Sequence, residues 1–378
     1  MIERRSPDVG VLVIAGLLTT IGIVMVFSAS SAVAYTQFHD AAYYLKRELV
    51  WAAIGIVALV IGTRLDYARL RPAAPFILGV AVVLLMAVLL PHVGSIEGGA
   101  RRWISLRFLS FEPSEFAKLA LLIFMAALLS ARSDGARSFK QAGFPVLLWV
   151  AICFALVMRE PDLGTASMFL LTAFVMLFVA GARLTHLAIE VAVAVPALLA
   201  FIYASPYRRD RFLAFAHPFK DPLRSGYHII QSLYALGSGG LFGLGLGQSR
   251  QKFGYLPAQH TDFIFSIIGE ELGFVGAAAV LALFLAFAYR GIRIAMQAED
   301  RFGFYLAIGI TSSVVLQAFI NVGVVTSSWP VTGVPLPFIS YGGTSLATTL
   351  FGVGLLASVS RGRKRAAATL ESARRKAS

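Results

Sequence analysis

Gly245–Gly273, GLGQSRQKFGYLPAQHTDFIFSIIGEELG, is the stretch around which this chain is organised. It opens as a glycine-rich turn, passes the bases Arg250 and Lys252, and carries His260, Thr261 and Asp262. From there it runs into an apolar helix that takes Glu270 and Glu271 with it. Ionisable groups at such depth are costly and face a protein interior or a water-filled cavity. Eight residues at about 100° each put Glu270 about 80° around from Asp262 and Glu271 nearly opposite. One acid is therefore expected near Asp262 and the other against a neighbouring helix.

Working outward, the same apolar character fills the chain. Of its 378 residues 58% are hydrophobic and only 14% charged, with a mean hydropathy of +0.76. This excludes a soluble globular domain and points to an all-α polytopic membrane protein. Spans of about 20 residues are expected near 10–30, 47–64, 73–91, 114–131, 143–159, 163–181, 185–204, 263–289, 303–326 and 342–360, about ten helices in all. The N-terminus looks like a signal peptide, with Ala32-Val33-Ala34 as a cleavage site, but its apolar run is too long and is read as an uncleaved first helix. The lone cysteine, Cys153, falls in an apolar run and builds no disulfide framework.

Lys and Arg set the orientation. With both termini cytoplasmic, most of the 33 basic residues fall in inner loops and in the tail 362–378. The net charge of +13 thus follows membrane topology and calls for no nucleic acid. Lys46, Arg47, Arg101, Arg102, Arg107 and the bases of 205–261 break the rule, and an anionic ligand on the outer face is the expected reason. The one long connection, about 205–262, lies between helices 7 and 8 and contains an expected amphipathic helix near 226–237. Residues 1–361 read as one transmembrane domain.

Each constellation has a plain and a chemical reading. Asp262 is a helix N-cap, or a general base at the membrane surface. His260 and Asp262 sharing a metal rests on two ligands only. Glu115 and Lys118, at i and i+3, form an intramembrane ion pair that fixes packing or serves a site. Arg101, Arg102 and Trp103 are a membrane-belt feature or a phosphate clamp with an aromatic wall. WPVTGVPLPFISYGGTSL (329–346) breaks the entry to the last helix around Ser340 and Tyr341, and irregular backbone at that depth implies a cavity. Gln317 and Asn321 face that cavity or another helix.

Taken together, GARRWIS, EPSEFAKLA, EPDLGTA, QSLYALGSGGLFGLGLGQSRQK, YLPAQHTDFIFSIIGEELG and PLPFISYGGTS resemble the SEDS family of cell-wall proteins over about 99–350. The match is nearest the FtsW-like division and sporulation branch, less the RodA-like elongation branch. The resemblance implies ten spans and a peptidoglycan glycosyltransferase that polymerises lipid II at the outer face and releases undecaprenyl pyrophosphate. It also implies a class B penicillin-binding protein as transpeptidase partner, with other division proteins, in the bacterial cytoplasmic membrane. The family's essential aspartate falls on Asp262, its tryptophan on Trp103 and its acid–lysine pair on Glu115 and Lys118. The matching motifs add Gln231, Ser232, Ser238, Arg250, Lys252, His260, Thr261, Ser340 and Tyr341 to Arg101 and Arg102 as substrate-binding candidates. No cofactor is implied beyond a divalent cation, Mg²⁺ or Mn²⁺. Ala258 stands where glutamate is usual, Glu112 and Glu160 where glutamine is usual, and Thr344 where serine is usual. A lipid II flippase suits buried charges and broken helices too, but should spread its essential charges through the membrane depth and over both faces. A recruiting scaffold leaves the acid–base cluster unexplained.

Overall fold

The computed structural model describes residues 6–97, 100–106, 109–132, 136, 139–224 and 226–362. Arg4, Arg5, Arg107, Arg137 and the tail from 363 onward lie outside the described residues. Helices stand at each of the ten expected places: α1 (Val9–Phe38), α2 (Tyr43–Arg64), α3 (Leu70–Val88), α4 (Pro113–Ser130), α5 (Phe144–Arg159), α6 (Leu163–Val179) and α7 (Leu184–Tyr203), followed after the long connection by α10 (Ile264–Met296), α11 (Arg301–Val325) and α12 (Gly343–Arg361). Seven of them are long and apolar enough to cross a membrane. The helices α5 and α6 are apolar but have only 16 and 17 residues, and α2 carries Lys46, Arg47 and Glu48 in its first turns. The chain is a multi-pass membrane protein.

Local chemistry sets several helix starts. Asp8, Asp162 and Asp300 each accept a backbone N–H three residues on, from Val11, Thr165 and Gly303. Helices α4, α11 and α12 form the centre, with 67%, 61% and 72% of their apolar windows buried, against 17% for α7 at the rim. The helix α2 lies along α12 through small residues. A Cβ on Gly354 would stand 2.4 Å from the Leu59 carbonyl oxygen, and one on Gly62 2.8 Å from that of Phe351, the close backbone approach that membrane helices exploit.

Two features depart from a plain helical reading. Residues 94–111, read as a loop, fold into a three-stranded antiparallel sheet: β1 (Gly94–Glu97), β2 (Ala100–Leu106) and β3 (Leu109–Phe111), with Ser95 opposite Trp103 and Ile104 opposite Phe111. The tryptophan, isoleucine and phenylalanine of this stretch suit a pleated, half-buried surface. The long connection contains α8 (Pro206–Ala216) and α9 (Tyr227–Gly239), the latter at the place expected for an amphipathic helix and packed on α10.

The second departure is a break in α10. At Gly273 the backbone takes φ 68° and ψ −169°, a conformation open almost solely to glycine. The glycine-rich loop 240–245 lies in the break. Phe274 and Val275 donate to the carbonyls of Gly240 and Leu241, while Leu244 and Gly245 donate to those of Glu270 and Glu271 (2.9–3.1 Å). Backbone groups freed by the break are thus paired inside the bundle, as lipid requires. A Cβ on Gly273 would stand 2.3 Å from the Gly243 nitrogen. Gly273→Ala is therefore expected to destabilise the fold by roughly 1–3 kcal/mol or more, measured as a lower thermal unfolding midpoint of the purified protein in detergent.

Candidate active site around Asp262

Asp262 ends the loop that enters α10, but the residue at the N-cap position is Phe263, and no side-chain cap bond is made there. The Asp262 backbone is held from the opposite side by the broken segment before α12. Asn321 on α11 donates through Nδ2 to the Asp262 carbonyl (2.8 Å) and to that of Val334 (2.8 Å). The Ser340 hydroxyl donates to the Thr261 carbonyl (2.6 Å) and accepts from Leu336 N (2.8 Å), and Tyr341 N donates to the His260 carbonyl (2.9 Å). Gln317 donates to Pro335 O (2.9 Å) and accepts from the Lys118 ammonium (2.9 Å), which also pairs with Glu115 (2.8 Å). Thus Glu115, Lys118, Gln317 and Asn321 fasten 334–341, and that segment fastens 260–262. Beside the first three lies a cavity of about 40 Å³, also reached by Ser313, Thr348 and Thr349.

The Asp262 carboxylate is half-buried, and a Cβ on Gly333 would stand 3.7 Å from its Oδ2. Its charge acts on Arg102. Burial pulls the guanidinium pKa down, but the charges of Asp162, Glu112 and Asp262 together outweigh this and raise it. Arg102 Nη1 pairs with Asp162 Oδ2 at 3.3 Å, and Asp162 in turn accepts from the Thr165 amide and hydroxyl. Glu112 is buried, accepts from the Ser114 hydroxyl (3.2 Å), and its own amide donates to Thr344 (3.1 Å). Burial, and then the Glu115 and Asp162 charges, hold its carboxyl above the usual range against Arg102 and Lys118. Glu160 is fully buried with neither carboxyl oxygen hydrogen-bonded to a described residue. Burial first, then Asp162 and Glu112, push its pKa up to about 9, with Arg102 opposing. Both positions where glutamine is usual in the resembling family thus hold carboxyls that favour the neutral, glutamine-like form.

Other candidates scatter. On strand β2 successive side chains alternate, so Arg101 and Trp103 share the face opposite to Arg102, and Arg101 reaches the Leu89 carbonyl (3.5 Å). His260 packs against Tyr44 and Tyr341, with ring centroids 4.4 and 5.8 Å away, and burial lowers its pKa to about 4, which leaves it neutral. Thr261 donates to the Ala258 carbonyl (3.2 Å). Arg250 and Ser238 are exposed, and Gln231 is half-buried.

Two candidates are buried in pairings of their own. Lys252, expected beside Arg250 to meet a phosphate, is buried in an ion pair with Glu271 (3.2 Å) and donates to Gly247 O (2.6 Å). The fully buried Ser232 donates to Val325 O (2.6 Å) and meets Ser266, joining α9 to α10 and α11. Both polar groups are thus engaged inside the protein. Nor do Glu270 and Glu271 divide as their helical angles suggest. Glu271 accepts from Ser28, Ser249 N and Lys252, and Glu270 from the Ser249 hydroxyl, Arg250 N and Gln251 N. Both hold the loop 247–252. Tyr44 and Ser28 carried no signal in the sequence, because each acts through a partner more than 200 residues away.

Among the described residues no three His, Cys, Asp or Glu side chains come together as a cation site.

The family model described as "Cell cycle protein" (FtsW, RodA and SpoVE) matches residues 9–365. The chain is 45% identical over 359 residues to stage V sporulation protein E of Bacillus subtilis, covering 95% of this chain and 98% of that one. It is 43% identical over 359 residues to a probable peptidoglycan glycosyltransferase FtsW of Geobacter metallireducens, covering 95% and 96%. Among solved structures, a chain of a peptidoglycan synthase complex that coordinates polymerization and crosslinking matches with TM-score 0.76 at 30% identity, covering 94% and 98%. Rod shape determining protein RodA of Thermus thermophilus matches with TM-score 0.70 at 30% identity, covering 94% and 97%. The protein belongs to the FtsW/RodA/SpoVE family.

Glu160 generates a prediction with a definite sign. Its folded pKa, about 9, lies above the unfolded value, so between these two values the folded state holds more protons and loses stability as pH rises, by at most about 1.4 kcal/mol per unit. Glu160→Gln removes this loss. The variant's thermal midpoint relative to wild type should climb from pH 5 to pH 9, and a pH-independent difference would contradict it.

Proposed function

We propose that this protein polymerises lipid II into glycan strands for septal wall synthesis, acting at the outer face of the cytoplasmic membrane with both termini inside. The observation that carries this is the half-buried Asp262, whose charge acts on Arg102, held by 334–341 where the loops after β3, before α6 and before α10 meet. Asp262 takes the proton from the acceptor sugar's 4-hydroxyl as that oxygen attacks the donor's anomeric carbon. The bond from that carbon to the pyrophosphate oxygen breaks, and undecaprenyl pyrophosphate leaves. Arg102, within electrostatic range of Asp262, is a fixed positive charge for the pyrophosphate, and exposed Arg250 adds a second. Lys118 is a positioning residue, acting through Gln317 on Pro335. Any Mg²⁺ or Mn²⁺ would take its ligands largely from the substrate's phosphates, and no step above depends on it. The matched synthase complex supports pairing with a class B penicillin-binding protein as transpeptidase.

The test uses purified protein with that partner and fluorescent lipid II. Asp262→Ala should lower glycan-ladder formation by about 10²-fold or more, the scale of a lost general base, with an unchanged thermal midpoint. Ladders at the wild-type rate would remove Asp262 from the chemistry. Lipid II crossing liposome bilayers, with no ladders from wild type, would establish the flippase instead.

A further inference from the structure

Away from Asp262, at the end of the bundle where α3 starts and α4 stops, lies an open groove of about 420 Å³. Its floor is apolar: Pro75 of α3 faces Phe124 and Leu128 of α4. Its mouth is not. Arg71 and Arg132 line the groove, both are exposed, and neither guanidinium has a carboxylate or carbonyl partner among the described residues. A third guanidinium is drawn in, since Arg301 Nη1 donates to the Arg132 carbonyl at 2.9 Å. Nearby, Asp66 accepts from Ala68 N, and Asp300 from Gly303 N and the Tyr67 hydroxyl. Among the described residues the mouth thus presents two guanidiniums, Arg71 and Arg132, with no carboxylate paired to them.

We propose that this groove binds an anionic phospholipid, with the phosphate between Arg71 and Arg132 and one acyl chain along Phe124 and Leu128. A groove between two bilayer-crossing helices is filled by lipid chains of any kind. What selects the head group is the pair of guanidiniums, whose planar forks match phosphate oxygens. Basic pockets between helices at a membrane interface favour anionic lipids on the same grounds. The site is independent of the polymerase reading.

Native mass spectrometry of the full-length protein, titrated with phosphatidylglycerol or phosphatidylcholine, tests this. Wild type should retain phosphatidylglycerol preferentially. Arg71→Gln with Arg132→Gln should lower that retention about 25-fold, from about 5-fold per guanidinium near a membrane surface. Arg64→Gln with Arg69→Gln, at the same end but outside the groove, should change it less than 3-fold. Leu128→Trp, which fills the floor, should lower retention with every arginine in place. Equal retention of the two lipids, or equal losses in the two arginine pairs, would overturn the proposal. So would a groove that holds no lipid.

Discussion

The break in α10 is the constraint on which the rest of the structure depends. An apolar helix of 33 residues has no intrinsic reason to interrupt its hydrogen-bond ladder. It does so at Gly273, where φ is positive, and the loop 240–245 supplies donors and acceptors for the exposed backbone. Once that loop is in place, 247–252 folds back over the end of the first half-helix, and Glu270 and Glu271 receive its amides, Ser249 and Lys252. Removing one member of such a buried pair leaves an uncompensated charge, which costs far more than the intact pair gains. The network therefore acts as an anchor. It fixes the start of the segment that delivers His260, Thr261 and Asp262 to the mouth of the site.

A second anchor fixes the other end. Lys118, Gln317 and Asn321 form a relay from the middle of α4 through α11 to the proline-rich backbone at 334–335, and from there to Asp262. Lys118 Nζ, both polar atoms of the Gln317 amide and Asn321 Nδ2 are all bonded within this relay, as a low-dielectric environment favours. The relay also explains why a residue can matter here without reaching the substrate. Lys118 lies among helices, yet it sets the backbone against which Asp262 rests.

The electrostatics at the mouth rest on one cation among several acids. Arg102 answers Asp162 directly and Glu112 and Asp262 at longer range. Burial first, and then the neighbouring carboxylates, raise the Glu112 and Glu160 carboxyls toward the protonated form, with Arg102 opposing. The charges that remain are those with work near Asp262. Neutral carboxyls at these two places keep the hydrogen-bonding character of an amide, so the exchange of glutamine for glutamate is tolerated without a change of local charge.

The multi-pass architecture, the helix positions and the Glu115–Lys118 pair were legible because each follows from local composition or from a spacing of three residues. The position of Asp262 at the entry to α10 was legible too, since it directly precedes the apolar run. Hydropathy alone did not reveal the sheet at 94–111, whose strands need partners from one another. Nor did it reveal that Lys252 and Ser232 are buried against Glu271 and Val325. What the sequence by itself determined was therefore the membrane class, the helix order and the entry of an acid-bearing loop into α10. Only the tertiary structure decided which charges stay available, because pairing inside a membrane bundle joins residues hundreds of positions apart, and in so dry a setting each buried charge goes to the first partner that geometry allows.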